Sequence, residues 1–281
     1  MGNTRIENIN ALIKACQNKM VRTEFISNNA VIVDNRFLFI NFKTPLNSSS
    51  FEKLCNDKDF SFIAFGKHVK IPRYISFLDP NIDKKYKDMG FTVYDSIEDI
   101  ACEIYRQFEN NMPCIIKKNS GSLGVNVFKT GNYDDILSAV NKIFNNDKNY
   151  DYLLIASEYI YIKTEYRVVV LNNKIELVYL KDNSGAKFVG NLSPLHFDNS
   201  KAVKIMDSKV IKRIEMFLKP LFDNFAINFA GFDIAIDNNN EMYFIEINSS
   251  PGFEIYIRDN GYNDIVILYE KMIEYLNKLP K

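Results

Sequence analysis

The stretch from Met242 to Asn248 reads as a strand, yet it carries two residues that an apolar strand does not need. Met242, Tyr243, Phe244, Ile245 and Ile247 are apolar or aromatic, but Glu246 sits inside the run and Asn248 follows two places later. An ionised carboxylate withdrawn from water is costly unless it is paired or bound to a metal. Asp233 lies 13 places before Glu246, across a turn over residues 237–240, and a short hairpin can set the two directly opposite each other. Strand alternation puts Glu246 and Asn248 on one face. Three oxygen donors at one spot suit a hard cation such as Mg²⁺, which takes one or two carboxylates together with nucleotide phosphates. An edge hairpin whose acids face water has the same pattern, so these residues alone leave both readings open.

Four further groups could join them. Lys117 stands at the mouth of the strand Pro113–Lys118, before a Ser/Gly loop at 120–124 and a returning strand at 125–130. Glycines there would let backbone N–H groups approach phosphate oxygens, with lysine as a point charge. The spacing is not that of a Walker A loop, and a flexible hairpin tip explains it equally well. Glu158 ends an apolar strand and Glu165 follows seven places on. Such acids can accept an adenine amino group and ribose hydroxyls, or simply face water. Lys58 opens a helical run, and Lys181 ends the strand Lys174–Lys181. Neither is informative alone.

The elements that would position these residues alternate irregularly. Helices are expected over 6–20, within 47–72 up to Ile71-Pro72, and over 96–111, 134–146, 207–222 and 262–278. Strands are expected at 113–118, 125–130 and 152–160, and as hairpins at 30–42, 165–181 and 230–248. Most pairings are hairpins, so the class is α+β with mainly antiparallel sheets. No repeat appears, and no linker is long enough to separate independent domains.

Bulk properties exclude several classes. The 281 residues contain 35 Lys+Arg and 35 Asp+Glu, so no global field points to nucleic acid or a membrane surface. Cys16, Cys55, Cys102 and Cys114 are scattered without metal-ligand spacing, which argues against zinc and a disulfide framework. With a polar start and no long apolar run, the expected location is the cytoplasm. His68 and His196 leave little room for histidine catalysis.

Taken in order, these segments resemble the ATP-grasp superfamily of carboxylate–amine ligases over roughly residues 47 to 275. The Asn56–Pro72 segment is similar to the family's D-K segment and the helix after it. "PCIIKK" is similar to a P-x-x-x-K-P strand, with Lys118 where proline is usual. "GSLGVNV" is similar to a mobile loop that covers phosphate. "SEYIYIKTEYRVVVL" is similar to the E-x-x-I…E-x-R hinge, and "GFDIAIDNNNEMYFIEINSSPGFE" to the G-x-D…E-x-N-x-x-P-G ending. Within the superfamily the chain is similar to the ATP-grasp part of cyanophycin synthetases and bifunctional glutathione synthetases, and equally to ribosomal-protein glutamate ligases.

The resemblance implies two antiparallel lobes clamping ATP, with residues 1–50 as a reduced N-terminal region and 51–281 as the ATP-grasp domain. The first lobe would run over about 90–160 and the metal-binding lobe over about 161–281. It implies that Lys58, Lys117 and the loop residues Ser120, Gly121, Ser122 and Gly124 contact phosphates. Glu158 and the backbone of Tyr159 and Ile160 would read adenine, Glu165 would hold the ribose, and Ile245 would line the nucleotide site. Asp233, Glu246 and Asn248 would hold two Mg²⁺ ions. Arg167 and Lys181 would act on the transferring phosphoryl group and the developing oxyanion. Ser249, Ser250, Pro251, Gly252 and Glu254 would face the acyl acceptor.

The implied reaction is amide or peptide bond formation on an amino acid, peptide or protein, through an acylphosphate with release of ADP and phosphate. A phosphotransferase and a non-catalytic nucleotide-binding module are the alternatives. Dimers are common in the family. Three departures stand out. The N-terminal substrate-binding domain is short. Glu254 stands where the cyanophycin and glutathione group often has arginine, which hints at a cationic or amine-bearing acceptor. Gly231 stands where D-alanine–D-alanine ligases carry arginine, which sets that dipeptide activity aside.

Overall fold

The computed structural model describes residues 5–83, 85–88, 92–121, 126–145, 150–185 and 199–278. The chain opens with α1 (Glu7–Asn18), β1 (Thr23–Ser27), β2 (Ala30–Val33) and β3 (Phe37–Ile40). It continues through α2 (Ser49–Asn56), α3 (Lys58–Phe65), β4 (Tyr74–Leu78), α4 (Lys85–Asp88) and α5 (Ile97–Phe108). Then come β5 (Cys114–Lys118), β6 (Val127–Thr130), α6 (Tyr133–Phe144), β7 (Leu153–Glu158), β8 (Ile162–Leu171) and β9 (Lys174–Asp182). The last elements are β10 (Lys201–Lys204), α7 (Ser208–Asn224), β11 (Phe229–Asp237), β12 (Met242–Asn248), α8 (Glu254–Asn260) and α9 (Asn263–Leu276).

These strands build three antiparallel sheets, ordered β1-β2-β3, β4-β7-β5-β6 and β10-β9-β8-β11-β12. The α+β expectation holds: every strand pairing among the described residues is antiparallel, and tight turns join β1 to β2, β2 to β3, β8 to β9 and β11 to β12. Asp34 and Asn35, and Asn172 and Asn173, all have φ between 50° and 56°, as the commonest two-residue hairpins require. The helix starts follow local chemistry. Ser48, Ser96 and Asn132 cap α2, α5 and α6 by accepting from the backbone N–H of Phe51, Asp99 and Asp135.

The single helical run read over 47–72 is two helices. Asp57 ends α2 in extended backbone, and its carboxylate accepts from Phe60 N–H to start α3. That break puts Lys58 at a helix start. Three short strands, β1, β4 and β10, and the helix α8 were not evident from periodicity. Strands of four or five residues give alternation too little length to register.

In the four-stranded sheet, Cys114, Ile116, Leu154 and Ala156 pack on Ile100, Ile104 and Phe108 of α5 and Ile136, Val140 and Ile143 of α6. Ile155, one place out of phase, joins a different core with Phe62 and Tyr166. The helices therefore cover one face, and Lys117 belongs to the other. In the five-stranded sheet, Val168, Val170, Phe232 and Ile234 face Phe62, Phe65, Ile214 and Leu218. The opposite face is apolar only in part. Val169, Leu171, Leu177 and Phe229 share a core with α1, α8, α9 and the first sheet. The remainder of that face is where the charged residues lie. No helix among the described residues is long and apolar enough to cross a membrane.

Candidate active site

Backbone register places the carboxylates. Asp233 is opposite Glu246, and Gly231 is opposite Asn248. On its other edge Asp233 is opposite Arg167, and Ala235 is opposite Glu165. The expectation that a 13-residue hairpin sets Asp233 against Glu246 is met, with a refinement. A bulge shifts the register between Asp233 and Ile234, so that Ile234 faces Phe244. Phe244 therefore points into the core with Ile234, while Glu246, two residues on, shares the face of Asp233. Ile245 is the extra residue. Bulges re-aim side chains in this way.

Four ionic groups interlock on that face. Arg167 Nε donates to Asp233 Oδ1 at 2.5 Å and Arg167 Nη2 donates to Oδ2 at 3.2 Å. Lys181 Nζ lies 2.6 Å from Asp233 Oδ2 and 2.5 Å from Glu165 Oε1. All four side chains are largely buried. Burial pushes the Asp233 carboxyl up, but the two cations outweigh it and hold its pKa below the usual range. Burial dominates at Glu165, whose pKa is raised. Burial also lowers Lys181, yet Asp233 and Glu165 leave its pKa above the ordinary lysine value. Gly231 makes room for this lattice. A β-carbon there would lie 3.0 Å from Arg167 Cδ and 3.1 Å from Pro251 Cβ.

The expected phosphate ligands arrive from two other elements, Lys58 from the start of α3 and Lys117 from β5. Lys58 and Lys117 are both buried, and both feel the charge of Glu246. Burial, and then Lys58, push the Lys117 pKa down from 10.5 to about 8. Its ammonium lies 4.9 Å from the centre of the Phe62 ring and makes no ion pair among the described residues. Burial also lowers Lys58, whose Nζ donates to Gly121 O at 2.8 Å and to Asn119 O at 3.3 Å. Two neighbouring buried cations, Lys58 held by carbonyls and Lys117 beside an aromatic ring, suit an anion. Asp233, Glu246 and Asn248 share one face, but both Asp233 oxygens pair with Arg167 and Lys181, Asn248 Oδ1 accepts from Ser250 N–H, and no group of three or more acids, histidines or cysteines among the described residues is placed to hold a metal ion.

The other expected contacts are placed as follows. Ser120 N–H and Oγ both donate to Asp151 Oδ2 at 2.6 Å, which anchors the start of the loop. Gly121 has φ of +110°, where side chains are strained. Ser122 and Gly124 lie outside the described residues. Glu158 Oε1 accepts from Arg73 N–H at 2.8 Å at the end of β7. Tyr159 and Ile160 form the short crossing from β7 to β8.

The turn after β12 is built from both ends of the chain. Asn248 Oδ1 accepts from Ser250 N–H at 2.8 Å. Asn47 Nδ2 donates to Ser249 O at 3.1 Å and to Phe229 O at 2.8 Å. Asn8, fully buried on α1, donates to Pro251 O and accepts from Phe253 N–H, each at 3.0 Å. This clamp fixes the backbone of the Pro251–Gly252 turn. Asn8, Asn47, Asn119 and Asp151 were absent from the sequence-based set. Only Asn8 left a signal, a polar residue on the stripe of Ala11, Leu12 and Ala15. A hollow of about 640 Å³, lined by residues including Asp95, Glu98, Asp134 and Asn141, lies on the helical side of the four-stranded sheet and contains none of these groups.

The comparisons agree with this geometry. D-alanyl-alanine synthetase A from Vibrio cholerae matches with a TM-score of 0.59 at 10% identity, over 96% of this chain and 93% of that one. A bifunctional glutathione synthetase from Pasteurella multocida matches with a TM-score of 0.53 at 16% identity, over 96% of this chain and 44% of that one. The D-alanine-D-alanine ligase from Coxiella burnetii matches with a TM-score of 0.51 at 16% identity, over 80% of this chain and 59% of that one. The chain thus spans less than two thirds of the last two proteins, and at these identities the likeness is one of fold. No curated protein matches in sequence. The model of the RimK-like ATP-grasp domain matches residues 91–276, well over half the chain, across α5 to α9. With the antiparallel sheets and the converging lysines and acids already in place, the chain belongs to the RimK-like ATP-grasp family.

Proposed function

We propose that the protein is an ATP-dependent ligase that joins a carboxylate to an amine, with release of ADP and phosphate. The observation that carries this reading is the approach of two buried lysines, Lys58 of α3 and Lys117 of β5, to Glu246, which lies opposite Asp233. The substrates would be an amino acid, a peptide or a protein, with no nucleic acid or membrane involved. The compartment would be the cytoplasm, and dimerisation is compatible with the family.

Each residue then has a task. Lys58 and Lys117 hold the triphosphate, which offsets their burial. Glu158 and the crossing at Tyr159 and Ile160 hold adenine, Glu165 holds the ribose, and Ile245 lines the site. Asp233, Glu246 and Asn248 would hold Mg²⁺, which supplies charge neutralisation at the β- and γ-phosphates. A substrate carboxylate oxygen attacks the γ-phosphorus, and ADP leaves. The amine then attacks the acyl carbon, and phosphate leaves with the C–O bond electrons. Arg167 and Lys181 stand where negative charge develops on the phosphoryl group and the tetrahedral oxygen, so their fixed cations lower those barriers. Arg167 and Lys181 both pair with Asp233, which fixes its carboxylate on the face it shares with Glu246.

The test is a phosphate-release screen of amino-acid and peptide pairs with Mg²⁺-ATP, with mass analysis of the product. An amide product with ADP is expected. A stable phosphorylated product, or AMP, would refute the ligase reading. Glu246→Ala should abolish turnover and weaken Mg²⁺-ATP binding. Glu165→Ala should cost less, because ribose hydroxyls carry no developing charge.

A further inference from the structure

Asn119 follows β5 directly and ties three elements together. It is fully buried. Its backbone N–H donates to Leu153 O of β7 at 3.0 Å. Its carbonyl accepts from Lys58 N–H and from Lys58 Nζ, each at 3.3 Å. Its side-chain Oδ1 accepts from Asp59 N–H at 2.9 Å. The first N–H groups of a helix have no partner within it. In α3 those of Lys58 and Asp59 go to Asn119, and that of Phe60 goes to Asp57. Asn119 therefore completes the cap of α3 from the end of β5.

The next two residues are fixed as well. Ser120 N–H and Oγ donate to Asp151 Oδ2, while Asp151 Oδ1 accepts from Leu153 N–H at 3.4 Å. Gly121 O takes the Lys58 ammonium at 2.8 Å. A β-carbon at Gly121 would lie 2.6 Å from Lys118 Cε, so this backbone also presses on the Lys118 stem. Lys117 stands two residues before Asn119, and Lys58 bonds to Asn119 itself. One residue thus sets the spacing between two lysines on different elements. The two charges repel, and Lys58 adds to the fall in the Lys117 pKa. Like charges in a buried site drive their elements apart unless a bond holds them.

We propose that Asn119 is a positioning residue for the triphosphate, acting through Lys58. Its side-chain amide fixes the first turn of α3, and with it the Lys58 ammonium, against the strand that carries Lys117. This rests on the ligase reading above, which assigns both lysines to phosphate. Alanine at 119 keeps the carbonyl but leaves Asp59 N–H without its acceptor, which frees that turn. A residue that only supported the fold would matter equally whether or not position 58 held a lysine.

The experiment is a double-mutant cycle on the whole protein, read as affinity for a non-hydrolysable ATP analogue with Mg²⁺. The variants are Asn119→Ala, Lys58→Met and the two combined. Lys58→Met should weaken the analogue about tenfold or more, and Asn119→Ala about threefold or more. The double variant should bind within about twofold of Lys58→Met, because the ammonium that Asn119 positions is already gone. Melting curves accompany each titration, and Asn119→Ser replaces the alanine variant if that one does not fold. A smaller loss in either single variant would overturn the inference. So would a double variant weaker than Lys58→Met by more than that twofold margin, since Asn119 would then support the site without Lys58. Failure of the wild type to bind the analogue would instead overturn the ligase reading.

Discussion

Lys117 is a buried cation that makes no ion pair among the described residues. Its pKa in the folded protein is about 8, against 10.5 in an unfolded chain, so between those values the unfolded state binds more protons. Stability therefore rises with pH across that window, and the strain of the buried charge is fully present below pH 8. At about 1.4 kcal/mol per pKa unit the strain is on the order of 3 kcal/mol. Lys117→Met should raise the melting temperature at pH 7, with the gain shrinking toward pH 10. The same variant should weaken ATP binding, and the loss of wild-type affinity between pH 7 and 9 should disappear from its titrations. Lys181 behaves oppositely because it separates two buried carboxylates. Lys181→Met should destabilise the free protein by roughly 3–5 kcal/mol in denaturant unfolding, since both acids lose a partner.

At the scale of elements, α1 acts as a brace rather than an appendage. Its Asn8 satisfies one carbonyl and one N–H of the turn between β12 and α8. Asn8→Ala should cost about 1–3 kcal/mol for the groups left unsatisfied. It should raise the KM for the acceptor while leaving Mg²⁺-ATP affinity within twofold. A change in nucleotide affinity equal to that in acceptor affinity would show that the brace serves the whole site. The bulge in β12 is the second such device. It turns Phe244 to the core and Glu246 to the ionic face over an interval that regular alternation would keep on one side.

For the molecule as a whole, the two larger sheets share part of one core, through Ile155 and Tyr166, and bring charged groups of opposite kind to the same region. Lys58 and Lys117 come from α3 and β5, and the acids come from β11 and β12. A nucleotide bound between them should stabilise both. At a hundredfold excess over Kd, Mg²⁺-ATP should raise the melting temperature by roughly 5–10 °C. EDTA should remove most of that shift, because the acids would then face the phosphates without a neutralising ion. A shift that EDTA leaves intact would exclude the metal role of Asp233 and Glu246.

Residue order alone carried the Asp233–Glu246 pairing and the Glu158–Glu165 spacing, because a hairpin of given length admits few registers. It also carried the antiparallel class and the helix starts, which depend on neighbours a few residues away. Contacts between distant segments depended on tertiary packing. The closure of Arg167 and Lys181 on Asp233 and the anchoring of Ser120 by Asp151 join residues 31 to 66 positions apart. The bracing of the turn between β12 and α8 by Asn8 spans 243. Such pairs are chosen by which faces the packed core brings together, and no local pattern encodes them. Glu254 Oε1, buried with no hydrogen-bond partner among the described residues, belongs to the same class, since burial is a property of the folded surroundings and not of the residue.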